Sequence, residues 1–299
     1  MVKNKLKEKM NLSDKQKGIA LSLIGVLIIT PDSLFIRLID IPSWELLFYR
    51  GLIPFFCLLI ALIFYYKKQF IHSLIITGFS GLLYAFLVAL GNATFVLSIQ
   101  NTNVANTLVM IALTPFATAV LSSIFLKEHP SKKMWLTIIA CFFAVIFIFY
   151  DSYQGGKFIG DFFGFLTAVF IGGSAVVIRY KKSIDFLPSL LMAKFFTILI
   201  PLLFLKSYSD VTNINLEQFY LILLMGVFLV IPLGCITIAP RYIPAYEVEI
   251  FFILETILGP IWVWLFINEQ PTLKTLIGGL FIIFIIFAHT YSELRKKQN

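Results

Sequence analysis

Charge is scarce in this sequence. Asp, Glu, Lys and Arg make up 13% of its 299 residues against 59% hydrophobic, and mean hydropathy is +0.92. A soluble domain needs a charged surface to stay wetted, so this composition excludes an ordinary water-soluble fold. Cysteine is nearly absent as well. Cys57, Cys141 and Cys235 each lie in an apolar stretch and form no CxxC pair, so they read as small hydrophobes and imply neither a disulfide nor a metal centre. The three histidines, His72, His129 and His289, share no metal-ligand spacing. HExxH, GxSxG, a Walker loop and a soluble domain with paired carboxylates are all missing. These absences argue against an enzyme and against a self-contained ATP-driven pump, and no cofactor is implied.

What the sequence has is long apolar runs. About 20 apolar residues cross a bilayer as a helix, because lipid forces each backbone polar group to pair within its own segment. Ten spans are expected: 17–39, 43–66, 71–98, 103–126, 132–150, 160–180, 186–206, 216–239, 244–267 and 272–291. Short connections make them one all-α polytopic membrane bundle. Met1 to Lys17 carries six lysines with Glu8 and Asp14, and the apolar run from Ile19 is long enough to span. It therefore reads as a retained helix behind a cytoplasmic tail, not a cleaved signal.

The charge distribution supports this count. With the amino terminus inside, eighteen of the 24 basic residues fall on inner segments, and only Lys157, Lys206 and Lys274 on outer loops. That asymmetry is the positive-inside pattern, with both termini cytoplasmic. It also explains the net charge of +8 without nucleic acid.

The two halves resemble each other. Glu128-His129-Pro130 follows the fourth span and Glu269-Gln270-Pro271 the ninth, 141 residues later; Arg37 and Arg179 match at 142. Five spans per half is an odd number, so the second half is inverted. The expected organisation is a basic cytoplasmic tail (1–16), a first five-helix repeat (17–150), a second, inverted one (160–291) and a cytoplasmic tail (292–299). Inverted repeats are typical of secondary transporters, with substrate bound near mid-membrane between the halves.

Asn103-Val-Ala-Asn-Thr-Leu-Val-Met-Ile-Ala-Leu-Thr-Pro115 followed by Leu126-Lys-Glu128, Leu254-Glu255, Asn268-Glu269-Gln-Pro271 and Phe48-Tyr-Arg50 together resemble EamA-type members of the drug/metabolite transporter superfamily. The resemblance extends from about 17 to 291. Thr256, where many members have proline, and Asn268, where glycine commonly precedes the glutamate, depart from the pattern. The resemblance implies a ten-helix basket. Its cavity is lined by the first, third, fourth, sixth, eighth and ninth helices, with the fifth and tenth at the periphery.

Ionisable groups at lipid depth cost about 2.5–3.5 kcal/mol each on insertion scales, so each needs a reason. Glu255, near the middle of the ninth span, reads as a substrate or proton site, or as a structural carboxylate with a buried partner. Glu247 suits a helix amino terminus, yet Glu247, Phe251 and Glu255 also share one helix side at i, i+4, i+8. Subtracting 141 gives Asn106, Met110 and Thr114 on the fourth helix. Two such stripes, one per half, form the expected substrate walls. Asp32 follows Pro31 inside the first span, where a proline break beside an acid suits ligand binding. Tyr84 is too deep for an interfacial anchor. Asn92 and Ser174 complete the candidate set. Arg50 is expected in a structural ion pair with Glu45 or with Asp32, the alternative being that it binds a carboxylate; Lys194 either snorkels or pairs. Arg37 and Glu45 are expected in the solvated outer region, and Pro232, Gly234 and Pro240 to interrupt the eighth helix.

The function these features favour is a secondary active transporter working by alternating access. It would move small polar metabolites (amino acids, zwitterions or organic cations) across the cytoplasmic membrane, driven by protons or by exchange. Its partners are the lipid bilayer and a small-molecule substrate. The alternatives are a membrane-embedded lipid-modifying enzyme and a non-transporting sensor or scaffold.

Overall fold

The computed structural model describes residues 14–127, 135–136, 139–140, 143–144, 146–147, 150, 155–181, 183–205, 214–243, 248 and 251–296. Most of the expected fifth span lies outside the described residues, as do Glu128, Glu247 and Glu249. All regular structure among the described residues is helical. The helices are α1 (Asp14–Ile29), α2 (Asp32–Ile39), α3 (Ser43–Tyr66), α4 (Phe70–Ile76), α5 (Gly78–Asn101), α6 (Val104–Ile111) and α7 (Thr114–Phe125). They continue as α8 (Phe158–Tyr180), α9 (Leu187–Leu202), α10 (Leu216–Ile238), α11 (Ile253–Ile267) and α12 (Leu273–Lys296).

Among the described residues, six helical stretches are long and apolar enough to cross a membrane, and three shorter apolar helices accompany them. The polarity of the bundle is that of a protein in lipid. Phe64, Phe79, Leu203, Leu265 and Phe284 face outward, while Asp32, Arg50, Asp161, Lys194 and Glu255 are buried. Water would select the reverse arrangement, whereas hydrocarbon selects this one. The chain is a multi-pass integral membrane protein.

Two helix breaks are chemically matched. Pro31 cannot donate to the Leu27 carbonyl, and the Thr30 hydroxyl donates to it instead at 3.0 Å. Pro115 likewise leaves the Ile111 carbonyl free, and Thr114 Oγ1 donates to it at 2.6 Å. The first break ends α1 and starts α2 at Asp32; the second separates α6 from α7.

Two expected elements change. The third span begins at Gly78, not 71, because Lys67 (φ 50°) ends α3, a 3-10 turn and the short α4 follow, and Gly78 turns the chain at φ 52°. From Phe70 the largely apolar sequence runs on past Gly78, so hydropathy does not register the turn there. The eighth helix, α10, runs unbroken through Pro232 and Gly234 and gives way to a 3-10 turn at Ala239–Arg241.

α8 packs along α5, and α9 along α3 and α5. Small residues permit this: a Cβ on Gly160 would sit 2.5 Å from the Asn101 carbonyl carbon, and one on Gly51 2.8 Å from the Ile198 backbone nitrogen. Polar ties close both ends of the bundle. At one end Glu269 accepts the Val104 N–H at 2.8 Å and lies 3.1 Å from Arg37 Nε, while Arg37 also donates to the Thr102 carbonyl at 2.7 Å. At the other, Asp185 accepts the Tyr66 hydroxyl at 2.5 Å and lies 2.9 Å from Arg241.

Candidate functional site in the bundle centre

A cavity of about 140 Å³ lies within the bundle, lined from α1, α2, α3, α5, α6, α8, α9, α10 and α11 and from Phe252 just before α11. It is smaller than the roughly 300–1,000 Å³ of typical ligand pockets, so it suits a compact molecule or must widen to bind. Its polar lining is Asp32, Arg50, Tyr84, Asn92, Ser174, Thr237 and Glu255.

The α1–α2 break delivers Asp32 to the start of α2, where the helix dipole favours an anion. Arg50, seven residues into α3, meets it in a bidentate fork, Nη1–Oδ1 2.6 Å and Nη2–Oδ2 2.8 Å, with both residues 2% exposed. Arg50 also stands over the Phe95 ring at 5.6 Å. The expected Glu45–Arg50 pair does not form. Five residues of helix is about 500° of rotation, which leaves the two side chains roughly 140° apart around α3. Glu45 is itself buried, not solvated, and its Oε2 has no hydrogen-bond partner among the described residues. Arg37 is only part-exposed and is ion-paired with Glu269.

Glu255 reaches the cavity from α11. Its carboxylate has no hydrogen bond or ion pair among the described residues, and Asp32 and Arg50 are the charges within electrostatic reach. Tyr84 and Thr237 share a hydroxyl–hydroxyl bond of 3.1 Å across the cavity edge. Asn92 donates to the Val88 carbonyl at 2.9 Å, and Ser174 to Ile171 at 2.8 Å. Behind Asn92, Lys194 is 0% exposed, so it does not snorkel.

Of the sequence candidates, the cavity collects Asp32, Tyr84, Asn92, Ser174 and Glu255, together with Arg50. It does not collect Asn106, Met110, Thr114 or Phe251, and Glu247 lies outside the described residues. Asn106 instead donates to both oxygens of Asp161 at 3.2 Å and accepts the Thr275 hydroxyl at 2.5 Å. Thr102 donates to the same carboxylate at 2.5 Å. This buried network ties α6, α8 and α12. Met110 packs beside Gly164, Thr114 caps its own break, and Phe251 packs on Ala239 and Val248. Sequence reading passed over Asp161 and undervalued Lys194; the available signal was a single charge inside an apolar span.

The profile of the EamA-like transporter family matches residues 16–150 and again 158–291. The chain belongs to the EamA-like transporter family. Among its relatives, the pseudopaline exporter CntI of Pseudomonas aeruginosa is 25% identical over 81% of this chain and 84% of its own length. The uncharacterized transporter YdfC of Bacillus subtilis is 26% identical over 77% and 74%. A solved crystal structure superposes with a TM-score of 0.67 over 91% of this chain and 96% of its own, at 11% identity, a likeness that shows the fold alone. A transporter is what membership and these relatives, both named for transport, support.

Proposed function

We propose that this EamA-like chain is a secondary active transporter moving small polar metabolites across the cytoplasmic membrane by alternating access, with the central cavity as its substrate site. Amino acids, zwitterions and organic cations are the substrate classes, and protons or exchange supply the drive. The observation that carries this reading is Glu255: a buried carboxylate open to a cavity, with no partner among the described residues, is expensive unless a ligand or proton meets it.

Ten spans in two inverted five-helix halves, with both termini cytoplasmic, belong to the same reading. The cavity lining supports it. Val88 and Leu229, Asn92 and Leu233, Phe95 and Ile236, and Ile111 and Phe252 all line the cavity and are each 141 residues apart. Ile29 and Ile171, and Asp32 and Ser174, are 142 apart. The twofold family match supports the same division. A cavity walled equally by both halves opens to alternate sides when the halves rock. The Arg37–Glu269 ion pair at one end and the Tyr66–Asp185 hydrogen bond at the other, each joining the two halves, then serve as the two closures. A relative named as an exporter supports transport as the activity.

The test is counterflow in proteoliposomes with a substrate found by ligand-induced thermal stabilisation. Glu255→Gln is expected to abolish uptake or move its pH dependence while the protein stays folded. Unchanged uptake at every pH removes Glu255 from the mechanism.

A further inference from the structure

Lys194 is a buried cation that the proposed transport cycle has not used. It lies on α9, one turn beyond Leu190, which lines the cavity. An ammonium carries three N–H donors. Among the described residues, Nζ has one polar contact, Asn92 Oδ1 at 3.5 Å, the long edge of hydrogen-bond range. The charges within reach are Arg50 and Asp32, and Asp32 already has both oxygens committed to Arg50. Arg50 Nε is also buried without an acceptor among the described residues. Lys194 stands behind the lining residues Asn92 and Leu190, and among the described residues the donors at and behind this wall outnumber its acceptors. The wall formed by α11 has the opposite imbalance, since Glu255 presents two acceptor oxygens and meets no donor among the described residues.

Unsatisfied buried donors on one wall and unsatisfied acceptors on another are complementary to a molecule carrying both an anion and a cation. We propose that Lys194 and Asn92 receive the carboxylate of an amino-carboxylate substrate whose ammonium faces Glu255. This rests on the transport reading and narrows it: simple amines and organic cations without a carboxylate leave Lys194 unmet and are poor substrates. Asn92 is the switchable partner. Its carbonyl holds Lys194 when the cavity is empty, and the substrate carboxylate takes that place on binding.

The test uses the purified full-length chain and matched probes: glycine, larger L-amino acids and N-alkylated amino-carboxylates, each beside its methyl ester and its decarboxylated amine. Binding is followed by thermal stabilisation and titration, and transport by proteoliposome counterflow. At least one amino-carboxylate is expected to bind about tenfold or more tightly than its ester, the effect of losing a charge-assisted hydrogen bond. Lys194→Met should weaken the acid to the level of the ester and leave the ester unchanged, Lys194→Arg should keep part of the preference, and Asn92→Leu should reduce it. The wild-type acid-to-ester ratio needs no variant, so the assignment is testable even if Lys194→Met does not fold. A ratio near one, or a ratio retained in Lys194→Met, overturns the role of Lys194 while persisting counterflow leaves the transport reading standing. Absence of counterflow for every probe in folded wild-type protein overturns both.

Discussion

Asp32 and Arg50 are charges in the part of the protein where charge costs most, and each is retained by the other. Two buried ions in a bidentate fork roughly offset their desolvation; one alone does not. Arg50→Leu is therefore expected to destabilise the folded protein by about 3–5 kcal/mol, read as a large fall in melting temperature in detergent. Asp32→Asn combined with Arg50→Leu should recover much of that loss, because no uncompensated charge remains. The sequence made part of this legible. An acid after Pro31 and an arginine inside an apolar run announced that charge lay at depth. Which acid met Arg50 was decided by where the α1–α2 break points Asp32, and near neighbours in sequence such as Glu45 are misleading when they fall on another side of the helix. The stripe of Asn106, Met110 and Thr114 failed for a related reason. Its 141-residue correspondence with Glu247, Phe251 and Glu255 says which residues match, not which way they face. The cavity takes Ile111 and Phe252, one position further and about 100° around, while Asn106 turns to Asp161.

At the scale of elements, breaks are where the chain positions its chemistry. Thr30-Pro31 and Thr114-Pro115 use one device: proline frees a carbonyl, and the threonine before it supplies the missing donor. Thr114→Val removes that donor at nearly constant shape and leaves the Ile111 carbonyl unsatisfied at depth. A loss of about 1–3 kcal/mol is expected, measured as thermal destabilisation. Thr197→Val is the control, since its hydroxyl bonds to Ala193 inside the continuous helix α9 and should cost much less. Long apolar runs marked most element ends within a few residues, because hydropathy and the lipid path length report the same thing. The start of α5 escaped because its turn is built from backbone conformation at Gly78, inside the largely apolar stretch that begins at Phe70. Thr256 stands where the first half has Pro115, and α11 runs straight through it, its hydroxyl bonded to Phe252 and Leu108 carbonyls. Both repeats turn near this point, the first at Ala112-Leu113 just before its proline and the second at Phe251-Phe252, so that α11 has already begun at Ile253 when it passes Thr256.

At the scale of the whole molecule, a near-symmetric scaffold carries asymmetric chemistry. Much of the apolar lining falls in pairs between the halves, while each ionisable group has a neutral match: Asp32 corresponds to Ser174, Arg50 to Leu191, and Glu255 to Thr114. On the proposed reading, symmetry serves the rocking motion and its violation serves recognition. Alternating access is the central claim, and accessibility of the cavity tests it most directly. In a chain with Cys57, Cys141 and Cys235 replaced by serine, Ser174→Cys places one thiol on the cavity wall. Membrane-impermeant maleimide, applied from each side in turn, should label it from both sides and be slowed by a bound substrate. A thiol reached from one side only, or from neither, in every condition contradicts the account.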